Sequence, residues 1–346
     1  MKTYRVGVAM MVHDHVWGEL AHWGKLPNAQ LVAAADPNEP LRDKVKTQYG
    51  VGRLYESWRE MLDREELDLL QVASENATAA DIVEVAAAKG VHLVIEKPMA
   101  ARLSQADRML RAAQDAGVVL MVNWPTQWNP AFQTFTRLIE AGAVGDLFYL
   151  KYRAAHNGPK EIGCSEYFWG WLYDEELNGA GALMDYCCYS AAMNSYFLGL
   201  PKSCVGIRAV LVKDYPLPDD NAMILMKYPH AFGVAEACWT QKVKTEFPNP
   251  IAYGTEGMIG ITEGGNVILR TADGHGRTIE PDPIPPGRRN APEHLIHCIE
   301  TGEPVMGTCN AVVSRNAQEI LEAGLISADT GREVTIPVAG QGVANG

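Results

Sequence analysis

Ala88-Lys89-Gly90-Val91-His92-Leu93-Val94-Ile95-Glu96-Lys97-Pro98 carries a helix end, a short apolar strand and an abrupt charged exit in one stretch. Gly90 stands just past the amphipathic residues 77–89, where a glycine takes the left-handed turn that closes a helix. Residues 91–95 form an unbroken apolar run of strand length. Pro98 cannot pair onward and fixes the direction in which Lys97 leaves the strand, so the ammonium is aimed at the strand mouth. The same rhythm runs outward from there. Residues 4–11, 31–35, 67–73 and 118–122 are further apolar runs, and the amphipathic stretches 39–49 and 104–116 end at Gly50 and Gly117. Strands alternating with helices predict an α/β fold with a doubly wound parallel sheet, whose ligands bind at the carboxyl ends of the strands.

After Asn123 the pattern changes. Residues 148–155, 204–213, 222–228, 232–239, 251–261 and 267–270 alternate apolar and polar positions, as antiparallel strands with one solvated face do. Residues 182–198 and 311–329 read as helices covering the other face, and the proline-rich residues 281–286 as a stiff loop. The expectation is therefore a Rossmann domain over 1–123 and a second α/β domain over 124–346, built on an open, largely antiparallel sheet. A length of 346 residues fits two domains.

Composition narrows the function. Hydrophobic residues at 47% and charged residues at 21% describe a globular chain. A formal charge of −12 argues against nucleic-acid or anionic-membrane partners, both of which need a basic surface. The seven cysteines show no C-x-x-C spacing and read as reduced thiols, which predicts a cytoplasmic protein. The first residues show neither a signal peptide nor an apolar span of membrane length.

The stretch 88–98 resembles the signature of the Gfo/Idh/MocA family (glucose-fructose oxidoreductase, inositol dehydrogenase and rhizopine-catabolism proteins). Similar landmarks are Pro27-Asn28-Ala29-Gln30-Leu31-Val32 before Asp36, Val144-Gly145-Asp146-Leu147, Gly179-Ala180-Gly181-Ala182-Leu183-Met184-Asp185 and Tyr253-Gly254-Thr255-Glu256-Gly257. The resemblance implies NAD or NADP as cofactor, reversible oxidation of a sugar, polyol or related alcohol, and dimers or tetramers. Asp185 and Tyr189, four residues apart, project from one helix face. Many members of the family carry His where Tyr189 stands, whereas this Asp-x-x-x-Tyr is similar to the glucose-fructose oxidoreductase and dihydrodiol dehydrogenase branches. The resemblance makes Lys97, Asp185 and Tyr189 the catalytic residues: an ammonium beside a tyrosine favours the phenolate, which then exchanges a proton with substrate.

Met10, Val12, His13, Asp36, Ser74, Asn76, Glu96 and Lys97, at the strand ends, are the expected cofactor contacts. Asp36 stands about 20–30 residues past the first strand, where a carboxylate accepts from a ribose 2′-hydroxyl, and it favours NAD over NADP. Asp36 before Pro37 reads equally as a helix cap. Trp124, Arg153, His156 and Trp169 are the candidate substrate contacts, the last within the aromatic run Tyr167-Phe168-Trp169-Gly170-Trp171.

One motif departs from the pattern. The family's G-x-G-x-x-G falls on Met10, Val12 and His15, so side chains stand where glycines let backbone approach a pyrophosphate. Either the loop takes another path and His13 or His15 touches phosphate, or dinucleotide binding is weakened or lost. In the second case the chain is a catalytically silent ligand sensor or corepressor on the same fold. A third reading is an enzyme that retains NAD tightly and alternates oxidation with reduction. Two histidines without further ligands nearby read as polar loop residues, so no metal is expected.

Overall fold

A computed structural model describes residues 2–244 and 247–338. Along the chain run β1 (Tyr4–Met11), α1 (Val16–Trp23), β2 (Ala29–Ala35), α2 (Glu39–Tyr49), β3 (Arg53–Tyr55), α3 (Trp58–Arg64), β4 (Leu69–Ala73), α4 (Ala79–Ala88), β5 (His92–Glu96), α5 (Leu103–Ala116) and β6 (Leu120–Asn123). There follow α6 (Pro130–Glu140), β7 (Leu147–Ala155), α7 (Glu166–Leu172), α8 (Glu175–Asn178), α9 (Ala182–Leu198), β8 (Ser203–Ala209), β9 (Asn221–Lys227) and β10 (Phe232–Cys238). The remainder is β11 (Ile251–Gly254), β12 (Gly257–Ile261), β13 (Val267–Thr271), β14 (Gly276–Ile279), α10 (Ala291–Thr301), α11 (Ala311–Thr330) and β15 (Val334–Thr335).

These elements form two compact units. The first is built from Met1–Gln133, Pro159–Gly179 and Asp282–Arg315, the second from Thr134–Gly158, Ala180–Pro281 and Asn316–Gly346. In the first unit six parallel strands lie in the order β3-β2-β1-β4-β5-β6, which is the doubly wound arrangement expected. The order reverses between β1 and β4, so the loops leaving those two strands flank the switch point where such sheets bind ligands. Every residue of β4 is buried. The run of apolar residues that marked it in sequence is what a strand covered on both faces requires.

In the second unit, nine strands among the described residues lie in the order β14-β13-β12-β11-β7-β10-β9-β8-β15. Only β7 and β10 pair in parallel. Helix α9 lies on β10, where Ser190 Oγ donates to the Val234 carbonyl at 2.8 Å. Helix α11 lies on β8, so closely that a Cβ on Gly206 would stand 1.9 Å from the Gly324 carbonyl oxygen. Both helices cover one sheet face. The other presents Ile207, Leu225 and Phe232, each half or more exposed, as an open apolar surface.

Strand β8 stops at Ala209, short of its expected end, and the landmark Tyr253–Gly257 forms the turn between β11 and β12. The aromatic run Tyr167-Phe168-Trp169-Gly170-Trp171 lies on helix α7.

Candidate active site

The loop after β1 decides how the first unit meets a ligand. Met10, at the first glycine position of the motif, has φ 64° and is the one non-glycine residue with positive φ among those described. The chain thus keeps the left-handed turn that glycine supplies elsewhere, at a conformational cost of about 1 kcal/mol. The amides beyond it are engaged internally. Met11 N donates to Asp36 Oδ2 at 2.6 Å, His13 N to the Ala73 carbonyl at 3.1 Å, and Val16 N to the His13 carbonyl at 3.0 Å. His15 N donates to His13 Nδ1 at 3.3 Å.

His13 lies inside the first unit, not on its surface. Its ring stands 4.3 Å from Phe168 and 5.8 Å from Trp171, both on α7. Asp14 anchors the same helix, accepting from Ser165 N at 2.7 Å and Ser165 Oγ at 2.6 Å. Burial, then the charges of His15 and Lys97, hold the His13 imidazole well below the usual histidine range. The Lys97 backbone favours the proton, yet Nε2 reaches no hydrogen-bond partner among the described residues. Of the two histidines expected near phosphate, His13 is thus the one covered by the rings of Phe168 and Trp171.

Asp36 ends β2 as expected, but it is fully enclosed. While Oδ2 holds Met11 N, Oδ1 accepts from Asn38 N and Asn38 Nδ2, both at 2.8 Å. The carboxylate is thus a clamp on the loop as much as a ribose acceptor. Arg42, the nearby cation, donates to the carbonyls of Asp36 and Pro37 at 2.7 and 2.9 Å.

At the end of β4, Ser74 Oγ donates to the Glu75 carbonyl at 2.9 Å, and Asn76 Nδ2 donates to Asn178 Oδ1 at 2.8 Å. Asn76 is buried under the α8 segment and does not line an open groove. At the end of β5, Glu96 Oε1 accepts from Asn123 Nδ2 at 2.8 Å, and Glu96 Oε2 stands 3.1 Å from His15 Nδ1. Lys97 follows, 2% exposed, and its bond to Pro98 is cis. Trp124 is 1% exposed and donates through Nε1 to Ser314 Oγ at 3.0 Å. It is a core residue, which corrects its expected place against substrate. Trp169 is half-buried on α7, 5.8 Å from the Tyr173 ring.

In the second unit, α9 presents Asp185, buried, and Tyr189, half-buried. The helix start is fixed by a residue that sequence reasoning missed. Asp219, on the loop before β9, accepts from Gly181 N at 2.9 Å and Leu183 N at 2.8 Å, so its carboxylate caps the helix. A Cβ on Gly181 would stand 2.2 Å from the Asp219 carbonyl oxygen, which explains the glycine. Asp219-Asp220-Asn221 carries no spacing that links it to residue 181, and only the fold supplies that link.

Aromatic rings surround Tyr189: Tyr152 and Tyr186 each lie 6.0 Å away, and His156 lies 4.7 Å from Tyr186. His156 is therefore gathered with Tyr189. Arg153 is not. It points to the sheet face opposite α9, where it reaches Glu236 at 3.2 Å and Gln241 at 3.1 Å. Alternation along β7 sends Tyr152 to one face and Arg153 to the other. Lys97 belongs to the first unit, Asp185 and Tyr189 to the second.

The residues of the first unit fit a dinucleotide in outline. The left-handed turn at Met10 is kept, Asp36 ends β2, and Ser74 and Lys97 stand at the ends of β4 and β5. A 2′-phosphate fits poorly, because Asp36 is an enclosed anion and Arg42 is engaged elsewhere.

A family model described as "Oxidoreductase family, NAD-binding Rossmann fold" matches residues 6–124, and one described as "GFO/IDH/MocA C-terminal domain" matches residues 132–260. The chain is 33% identical over 152 residues to D-apiose dehydrogenase of Paraburkholderia graminis, covering 43% of this chain and 40% of that protein. To levoglucosan dehydrogenase of Pseudarthrobacter phenanthrenivorans it is 24% identical over 263 residues, 68% of this chain and 65% of that protein. The matches thus span from 40% to 65% of these curated relatives' length. A solved structure of levoglucosan dehydrogenase with NADH and levoglucosan superposes with a TM-score of 0.82 at 20% identity, over 97% of this chain and 100% of that one. That likeness concerns the fold.

Proposed function

The chain belongs to the Gfo/Idh/MocA oxidoreductase family, whose first domain is an NAD-binding Rossmann fold, and on that premise we propose that it is an NAD(H)-dependent dehydrogenase or reductase of a sugar, polyol or related cyclic alcohol or carbonyl. The observation that carries this reading is α9, with Asp185 and Tyr189 on one face and a buried carboxylate, Asp219, holding its start. Tyr189 exchanges the proton at the substrate oxygen. Lys97 provides the positive charge that favours its phenolate, and Asp185 positions the reacting groups. NAD, when bound, takes up or returns the hydride.

Asp36, Ser74 and Lys97 are the cofactor contacts in this reading, and His156 and Trp169 the substrate contacts. A ring such as Trp169 stacks on the apolar face of a sugar. Relatives named for D-apiose and levoglucosan support the substrate class. Calorimetric titration is expected to show tighter binding of NADH than of NADPH, because the enclosed Asp36 carboxylate repels a second anion. Binding of neither dinucleotide would favour the silent-sensor reading, to which the internally engaged amides of Met11, His13, His15 and Val16 also point.

The open sheet face supports a homo-oligomer, since a contiguous exposed apolar surface marks an interaction site. Ile207→Asp is expected to shift the chain to monomer by sedimentation velocity, with the circular dichroism spectrum unchanged. An already monomeric parent chain would refute the assembly. The seven thiols support a reducing, cytoplasmic location, and the net charge of −12 gives no footing for nucleic acid. No helix among the described residues is long and apolar enough to cross a membrane.

A further inference from the structure

Three side chains at the carboxyl edge of the six-stranded sheet are not used by the proposed dehydrogenase function. His13 and His15 leave β1, Glu96 ends β5, and one ligand atom from each lies within 4.8 Å of the others. Sequence supplied two histidines; the fold brings the carboxylate that is 81 residues away. We propose that His13, His15 and Glu96 bind one divalent transition-metal ion of the zinc class.

The environment is that of a built site. His13 is 1% exposed, its Nδ1 accepts the long bond from His15 N at 3.3 Å, and Nε2 has no partner among the described residues. A buried polar atom left in that state costs about 1–3 kcal/mol, which a ligand removes. Glu96 is oriented by Asn123, whose Nδ2 takes Oε1 and leaves Oε2 facing His15. Such outer contacts fix the first ligands of metal sites. Phe168 and Trp171 wall the His13 side against water.

Charge decides which ion fits. Lys97 lies near enough to act on His13 and opposes a cation. Glu96 and the buried Glu19, which interact with one another, oppose that repulsion. Two imidazoles and one carboxylate suit Zn²⁺, Co²⁺ or Ni²⁺ and not the oxygen-preferring Mg²⁺ or Ca²⁺. Ligand atoms around tetrahedral zinc stand roughly 3.4 Å apart, so the cluster closes slightly on binding. His15, the most exposed of the three, is free to make that movement. The inference goes beyond the dehydrogenase reading and requires neither Tyr189 nor a dinucleotide.

Full-length protein stripped of metal by a chelator and titrated with Zn²⁺ is expected to take up one ion per chain, with Co²⁺ giving a visible absorption band. His15→Ala and Glu96→Gln should each weaken binding by well over tenfold, and Asn123→Ala by about tenfold. His15 is partly exposed, so its variant keeps the test valid even if His13→Ala does not fold. Absence of both heat and colour would overturn the proposal. So would unchanged affinity in His15→Ala, or loss of binding in Cys164→Ser, which would assign the ion to a thiol. Dinucleotide titration of the same variants, read separately, leaves the dehydrogenase assignment with its own test.

Discussion

Tyr189→Phe is expected to fold normally, bind NADH as the parent chain does, and turn over about 10²–10⁴-fold more slowly. The substitution keeps the ring that packs near Tyr152 and Tyr186 and removes only the oxygen that exchanges a proton. Lys97→Met should slow turnover as well, and should also disturb cofactor or substrate binding, since a 2% exposed ammonium at the end of β5 carries charge that both depend on. The reading assigns both residues to one proton route, so the double variant should be little slower than the worse single one. Single-turnover rates on an accepted polyol measure this. Near-normal hydride transfer in Tyr189→Phe would remove the tyrosine from the chemistry and turn attention to His156, which stands one ring away.

Asp36→Ala is expected to cost about 3 kcal/mol of stability or more and to abolish detectable dinucleotide binding. The carboxylate accepts three hydrogen bonds with no solvent exposure, and hydrogen bonds to a charged group contribute about 1.5–3 kcal/mol each. Its loss leaves the buried Met11 amide without an acceptor and frees the part-buried Asn38 amides, and the loop after β1 comes away from β2. Urea midpoints and NADH calorimetry on one preparation test both halves. Unchanged stability with lost binding would mean that Asp36 serves the ribose alone. A large stability loss is the signature of the clamp.

The sheet of the first unit was legible because its strands are buried on both faces, and such strands announce themselves as apolar runs. Helix α2 was legible down to its glycine stop, since Gly50 takes φ 71°. Strand β3 was not, because three half-exposed residues carry no periodicity. Helix α1 was hidden by its length of eight residues and by a start at His15 without a side-chain cap. That Asp185 and Tyr189 share one helix, α9, was readable from their spacing, while their place among the candidate site residues came from the family resemblance. Arg153 misled because its neighbour Tyr152 takes the α9 face of β7. Trp124 misled because a tryptophan after a strand end reads the same whether it faces solvent or the core. Asp219 and the Glu96 partnership with His15 depend on residues far apart in the chain, and local pattern holds no trace of either.

The three-segment construction of the first unit has a consequence for synthesis. By residue 123 all six strands of its sheet have been made, but the groups that close over them have not. Asn178, which seals Asn76, arrives 102 residues after it, and Ser314, which receives the Trp124 indole, arrives 190 residues after it. At about 5–20 residues per second, the second interval lasts roughly 10–40 s on the ribosome. For that time the carboxyl edge of the sheet is an unfinished surface with Asn76 and the Trp124 indole lacking their partners, available to chaperones and to neighbouring nascent chains. A fragment released near residue 123 would carry that surface permanently and is expected to partition into aggregates.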